Sequence, residues 1–155
     1  MIIKKVETIE EANTCDLLLT KLIQDEKKYN DNLKEDYVVK DYFKNIYNKD
    51  NRALFVALDK KVVGYIYVKI ITSNDGPTKY REALIDGLYV EETYQSMGIG
   101  TSLINKAIEW CQDKDITYIS LHVLDKNIDA RRLYKKLGFE TFYLDLRKKV
   151  KNETV

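Results

Sequence analysis

The chain has 155 residues, 45% of them hydrophobic and 33% charged, which fits one globular domain with a real core. Its formal charge is only +1, so no field of one sign is available for a nucleic acid or an anionic membrane surface. Cys15 and Cys111 lie far apart, without metal-ligand spacing or the density of a disulfide scaffold, and read as buried free thiols. The first residues lack the apolar core of a signal peptide and no run approaches a membrane span, so the expected location is cytoplasmic.

Ile2 to Val6 reads as a short strand. Ala12, Cys15, Leu18, Leu19, Leu22 and Ile23 then recur at helical spacing, predicting an amphipathic helix from about Ile9 to Gln24. The polar run from Asp25 to Asp36 has too few apolar residues for a core element and is a loop. A second helix is expected on Tyr37, Val38, Tyr42 and Ile46. Ala53 to Leu58 and Val62 to Ile71 form a hairpin across Asp59-Lys60-Lys61. Ala83 to Val90 is another strand, followed by a glycine segment that opens a helix with Leu103, Ile104, Ala107, Ile108 and Cys111 on one face. Ile116 to Leu124 is a strand, and Ile128 to Leu137 a short helix ended by Gly138. Phe139 to Lys149 reads as one extended strand, with a fraying tail after it. The domain therefore spans residues 1–149, with 150–155 as tail.

Gln95-Ser96-Met97-Gly98-Ile99-Gly100 lies between a strand and a helix with no strong capping side chain. Orphan N–H groups at such a helix start, with glycines that let a ligand approach the backbone, favour an anion such as a pyrophosphate. A plain glycine turn into a surface helix would look similar on these residues alone. A dinucleotide fingerprint would need glycine at Leu103, and a P-loop would need a lysine after Gly100; neither fits.

Gln95, Gly98 and Gly100 match the phosphate motif of the GNAT superfamily of N-acetyltransferases, which the sequence resembles from about Ala83 to Phe139. Leu88-Tyr89-Val90, an acidic pair and Tyr94 stand upstream of the motif. Asn127, Ala130, Tyr134 and Gly138-Phe139 follow downstream in matching order and spacing. The resemblance implies an α/β fold of the α+β kind: a mixed, mostly antiparallel central sheet flanked by about four helices, with two strands splayed into a wedge for coenzyme A.

The resemblance also implies acetyl-CoA as co-substrate, with no metal and an unidentified primary amine as acceptor. Backbone groups of Leu88, Tyr89 and Val90 would face the thioester arm, and Gln95, Ser96, Met97, Gly98, Ile99, Gly100 and Thr101 would hold the pyrophosphate. Asn127 would bond the pantetheine arm or cap its helix. Lys136 or Arg132 would meet a 3'-phosphate or remain solvated. Tyr134 would be the general acid toward the departing thiolate, and Asp86 the base that deprotonates the amine, directly or through a water. For Tyr134 the alternative is a core tyrosine, and for Asp86 a bond to a neighbouring loop or a surface ion pair. His122 reads as a packed or loop-bonded residue, while Tyr29, Tyr37 and Tyr42 lie near the expected acceptor walls. A non-catalytic acyl-CoA sensor is the rival reading. A single final strand would leave an open edge with which a second subunit could pair.

Overall fold

The computed structural model describes residues 1–151; the end of the expected tail, residues 152–155, lies outside the described residues. Its five strands are β1 (Ile2–Lys5), β2 (Arg52–Asp59), β3 (Lys61–Ser73), β4 (Tyr80–Val90) and β5 (Ile119–Leu121). They form one sheet in the order β1-β2-β3-β4-β5, antiparallel except for the parallel β4–β5 pair. Three α-helices pack on it, α1 (Ile9–Glu26), α2 (Ile99–Asp113) and α3 (Ile128–Lys136), where about four helices were expected.

Helix α1 starts where the sequence supplies a cap. Thr8 accepts from the Glu11 N–H at 3.1 Å, and the Glu11 carboxylate reaches back to the Glu7 N–H at 3.2 Å. Ala12, Cys15 and Leu18 are buried by this helix with Phe43, Leu54, Val56, Tyr65 and Tyr67 on one face of the sheet. On the other face, the α2 residues Leu103, Ile104, Ala107 and Cys111 pack over Phe55, Val63, Ile66, Val68 and Ile85. Each fully buried Leu or Ile of that stripe contributes about 1.5–3 kcal/mol of transfer free energy. Both cysteines are buried free thiols, and burial raises the pKa of each.

The helix expected from Tyr37 does not form. Only a single 3₁₀ turn, Phe43–Asn45, appears there. The reason is visible in α1: the buried Asp16 carboxylate accepts from the N–H groups of Phe43 at 3.0 Å and Tyr42 at 3.3 Å. Thr20 accepts from the Val39 N–H at 3.0 Å while donating to the Asp16 carbonyl at 2.9 Å. Donors that a helix would use internally are thus held by side chains of another element.

Two further expectations need correction. The strand placed over Ile116 to Leu124 shrinks to Ile119–Leu121, because β4 pairs with it only from Ala83 to Ile85. Residues 139–149 are irregular rather than a strand, since among the described residues the sheet ends at β5 and no strand pairs with them. Gly138 does end α3 as expected, at φ 92°, with the Phe139 N–H donating to the Tyr134 carbonyl at 2.9 Å.

Candidate active site

The site begins at a bulge in β4. Tyr67 pairs with Gly87 and Val68 with Ile85, leaving Asp86 as the extra residue. The bulge changes the parity of the strand. Below it Ala83 and Ile85 face the α2 side, whereas above it Leu88 and Val90 do so, with Tyr89 on the α1 side. Pairing with β5 ends at Ile85 opposite Leu121, so among the described residues Asp86 to Val90 have no strand on that flank and a wedge opens between the two strands.

The chain then enters the glycine segment. Ser96 and Gly98 both have left-handed backbones, at φ 63° and 82°, and Gly98 caps α2 without any side-chain bond. The left-handed Ser96 is the kind of locally costly conformation that concentrates at ligand sites. Among the described residues no acceptor meets the N–H groups of Gly100 or Thr101; the first bond of the turn runs from Ser102 to the Gly98 carbonyl at 3.1 Å. A side chain at Gly98 would meet nothing within 4 Å, and one at Gly100 would meet only Leu133 at 3.8 Å. The helix start is therefore open, electropositive and unobstructed. Gln95 turns back to donate to the Val90 carbonyl at 2.9 Å and fixes the loop against the end of β4, while Met97 is exposed at the rim.

Helix α3 supplies the other wall. Asn127 caps it, accepting from the Ala130 N–H at 3.3 Å, so the capping alternative holds. Tyr134 packs edge-on against Phe139 with centroids 5.9 Å apart, in the same cluster as Leu88, Val90 and Leu133. Burial raises the pKa of its phenol, and the nearby Glu26 charge adds to the rise. Lys136 lies exposed in the last turn, and Arg132 pairs only loosely with Asp129 at 4.0 Å. His122, expected to be packed or loop-bonded, is exposed just beyond β5.

Asp86 does not stand free: its carboxylate meets the Lys69 ammonium at 3.0 Å, with both side chains partly exposed. The ion-pair alternative for Asp86 is therefore present. On the same side, Tyr42 packs edge-on to Phe43 at 4.9 Å and to Tyr67 at 6.3 Å. Burial pushes the Tyr67 phenol up to about 12, and Arg52 donates to its oxygen at 3.1 Å.

Glu26 went unseen in the sequence. It sits in the charged run Asp25-Glu26-Lys27-Lys28, where nothing separates a site residue from a solvated one. The fold half-buries it at the last residue of α1, and burial raises its carboxyl pKa. Its charge acts on both Tyr65 and Tyr134, so the end of α1 approaches the wedge from the opposite side.

An Acetyltransferase (GNAT) family model matches residues 18–139 of this sequence. The chain belongs to that family. An uncharacterised N-acetyltransferase of Methanocaldococcus jannaschii is 34% identical over 100 residues, which are 64% of this chain and 44% of the relative; the chain thus spans less than half of that protein's length. Among solved structures, a tetramutant of the BH1408 protein from Bacillus halodurans superposes with a TM-score of 0.86 at 22% identity, over 97% of this chain and 100% of that one. The aminoglycoside N-acetyltransferase AAC(6')-Iy in complex with CoA superposes with a TM-score of 0.68 at 18% identity, covering 96% and 99% of the two chains. The mixed sheet and its flanking helices are those of GNAT acetyltransferases. No helix among the described residues is long and apolar enough to cross a membrane, and no cluster of His, Cys, Asp or Glu among them could hold a metal ion.

Proposed function

We propose that this GNAT-family chain is an acetyl-CoA-dependent N-acetyltransferase in which a primary amine attacks the thioester directly. The observation that carries the reading is the parting of β4 from β5 together with the uncapped start of α2, which leaves outer-edge backbone groups of β4 and N–H groups of the helix start open among the described residues. The CoA complex of a structural neighbour with the same fold supports the choice of co-substrate.

The helix start at Gly98 to Thr101 holds the pyrophosphate. Leu88 and Val90 bond the pantetheine arm and polarise the acetyl carbonyl, and Asn127 keeps an amide N–H₂ free for the same arm while its oxygen caps α3. Lys136 meets the 3'-phosphate. An acceptor amine with a lysine-like pKa of about 10.4 arrives protonated, and Asp86, whose carboxylate lies 3.0 Å from the Lys69 ammonium, accepts its proton. The amine nitrogen bonds the acetyl carbon, the C–S bond breaks and the Tyr134 hydroxyl gives its proton to the sulfur, while the second proton on the nitrogen leaves through solvent and restores the phenol. A phenol with a raised pKa remains protonated at neutral pH, as that step requires. The acceptor approaches from the face of α1 and the Tyr42 and Tyr67 rings.

Calorimetric titration with acetyl-CoA, followed by mass spectrometry of products from a panel of polyamine, aminoglycoside, peptide and lysine acceptors, tests the proposal. Binding with a mass gain of one acetyl group on an amine supports it. Binding without turnover on any acceptor would leave a non-catalytic acyl-CoA sensor, and absence of binding would remove both.

A further inference from the structure

The arginines Arg81, Arg131, Arg132 and Arg147 are exposed, and each finds an acceptor. Three of them face carboxylates, and Arg81 donates to the Lys114 carbonyl at 3.0 Å. Arg52 differs on both counts. It is half-buried, and no carboxylate of the described residues forms an ion pair with it. Its Nη1 donates to the Tyr67 hydroxyl oxygen at 3.1 Å, and its buried Nε has no acceptor among the described residues. A guanidinium drawn partly out of water and met by a neutral phenol is a costly arrangement, which an anion reaching it would relieve.

The sheet sets this cation on the acceptor side of the cleft. Arg52 has the parity of Leu54 and Val56 on β2, and Lys69 that of Tyr65 and Tyr67 on β3, so both stand on the α1 face. They are direct cross-strand partners, and the Lys69 ammonium in turn meets Asp86, the bulge residue of β4, at 3.0 Å. Tyr42 packs edge-on to the Tyr67 ring and makes an aromatic wall beside this row. Lys69 and Asp86 match each other, which leaves Arg52 as a cation without a counter-charge, two strands from the carboxylate that serves the amine.

We infer that Arg52 binds a carboxylate of the acceptor, so that the substrate of this cleft is an amino acid or another small amine bearing a carboxylate, its amine toward Asp86 and its acid toward Arg52. The inference deepens the proposed acetyl transfer and rests on the acceptor side assigned there. One unmatched guanidinium suits a singly charged carboxylate, whose two oxygens fit the fork of N–H donors, better than a doubly charged phosphate. A diamine fits badly, because its second ammonium would meet Arg52 and Lys69.

Calorimetry on the whole chain saturated with CoA reads acceptor binding without turnover. The probes are β-alanine, γ-aminobutyrate and lysine, each beside its carboxamide, and cadaverine, which is lysine without its carboxylate. At least one acid should bind about tenfold or more tightly than its amide, and lysine more tightly than cadaverine. Arg52→Gln should bring the acid-to-amide ratio to within about twofold of unity, and Arg52→Lys, which keeps the charge but not the fork, should retain part of it. The ratio within one protein is its own control, since a misfolded variant loses acid and amide together; the parent's ratio then remains the test. Acids and amides that bind the parent alike, cadaverine tighter than lysine, or a ratio that survives Arg52→Gln would each overturn the inference. The transferase reading fails separately: acid-selective binding with no acetylated product would uphold the Arg52 contact and remove acetyl transfer, whereas equal acetylation of acids and amides would do the reverse.

Discussion

The Tyr65 hydroxyl lies against the Gly87 α-carbon, so close that a methyl group built on Gly87 would stand 2.6 Å from the oxygen and 3.2 Å from the ring. That hydroxyl is buried and has no hydrogen-bond partner among the described residues. It sits beneath the residue that follows the β4 bulge, where the strand changes parity. Gly87→Ala is therefore expected to destabilise the fold by about 1–3 kcal/mol through overpacking. Tyr65→Phe removes an unsatisfied polar atom and should be neutral or stabilising by itself, and should recover part of the Gly87→Ala loss. Urea unfolding of the two single variants and the double variant checks this; strict additivity would contradict the contact.

Asp16 substitutes for a turn of helix. Asp16→Ala leaves the Tyr42 and Phe43 N–H groups without their acceptor beneath a buried aromatic cluster, so it should cost about 2–3 kcal/mol. Thr20→Val should cost about 1 kcal/mol through the Val39 N–H. Both would loosen the 37–46 segment, and limited proteolysis should cut it first.

At Gly100 the fold tolerates a side chain, so a substitution there isolates the proposed pyrophosphate contact. A methyl group there has ordinary space, with Leu133 at 3.8 Å, and alanine favours a helix by up to about 1 kcal/mol. Gly100→Ala should keep or raise the melting temperature while weakening acetyl-CoA binding at least tenfold, read by calorimetry. Unchanged affinity would move the pyrophosphate away from this helix start.

Tyr134→Phe should bind acetyl-CoA normally and lower kcat by about 10²–10⁴-fold, the usual range for a lost general acid. Its phenol is raised by burial and by Glu26, so the alkaline limb of the parent's kcat profile should lie above the ordinary phenol range of about 10. That limb should disappear in the variant. Asp86→Asn, by contrast, should depress activity most at low pH, where the amine most needs a base.

Glu26 provides a check on the sign of a raised carboxylate. Its folded pKa lies above the unfolded one, so the stability it contributes is full below the unfolded value and is lost as pH rises through the folded value. Glu26→Gln should thus match the parent's melting temperature near pH 4 and exceed it at pH 7. A variant less stable than the parent at pH 7 would mean the ionised carboxylate has a partner.

Strands β2, β3 and β4 and helices α1 and α2 were legible because their apolar residues repeat at the period of the element that buries them, as Leu103, Ile104, Ala107 and Cys111 do on α2. The glycine segment and the α3 cap were legible too, since Gly98, Asn127 and Gly138 act through backbone geometry within a few residues of chain. Tertiary structure alone decided the rest. Asp16, remote in sequence, took the N–H groups that would have made a helix after Tyr37. The bulge at Asp86 ended the β4–β5 ladder and shortened β5. Glu26, one acid in a solvated run, became half-buried because α1 ends beside the wedge. In each case the outcome turned on which distant group reached a backbone donor or excluded water from a charge, and local periodicity carries no record of that.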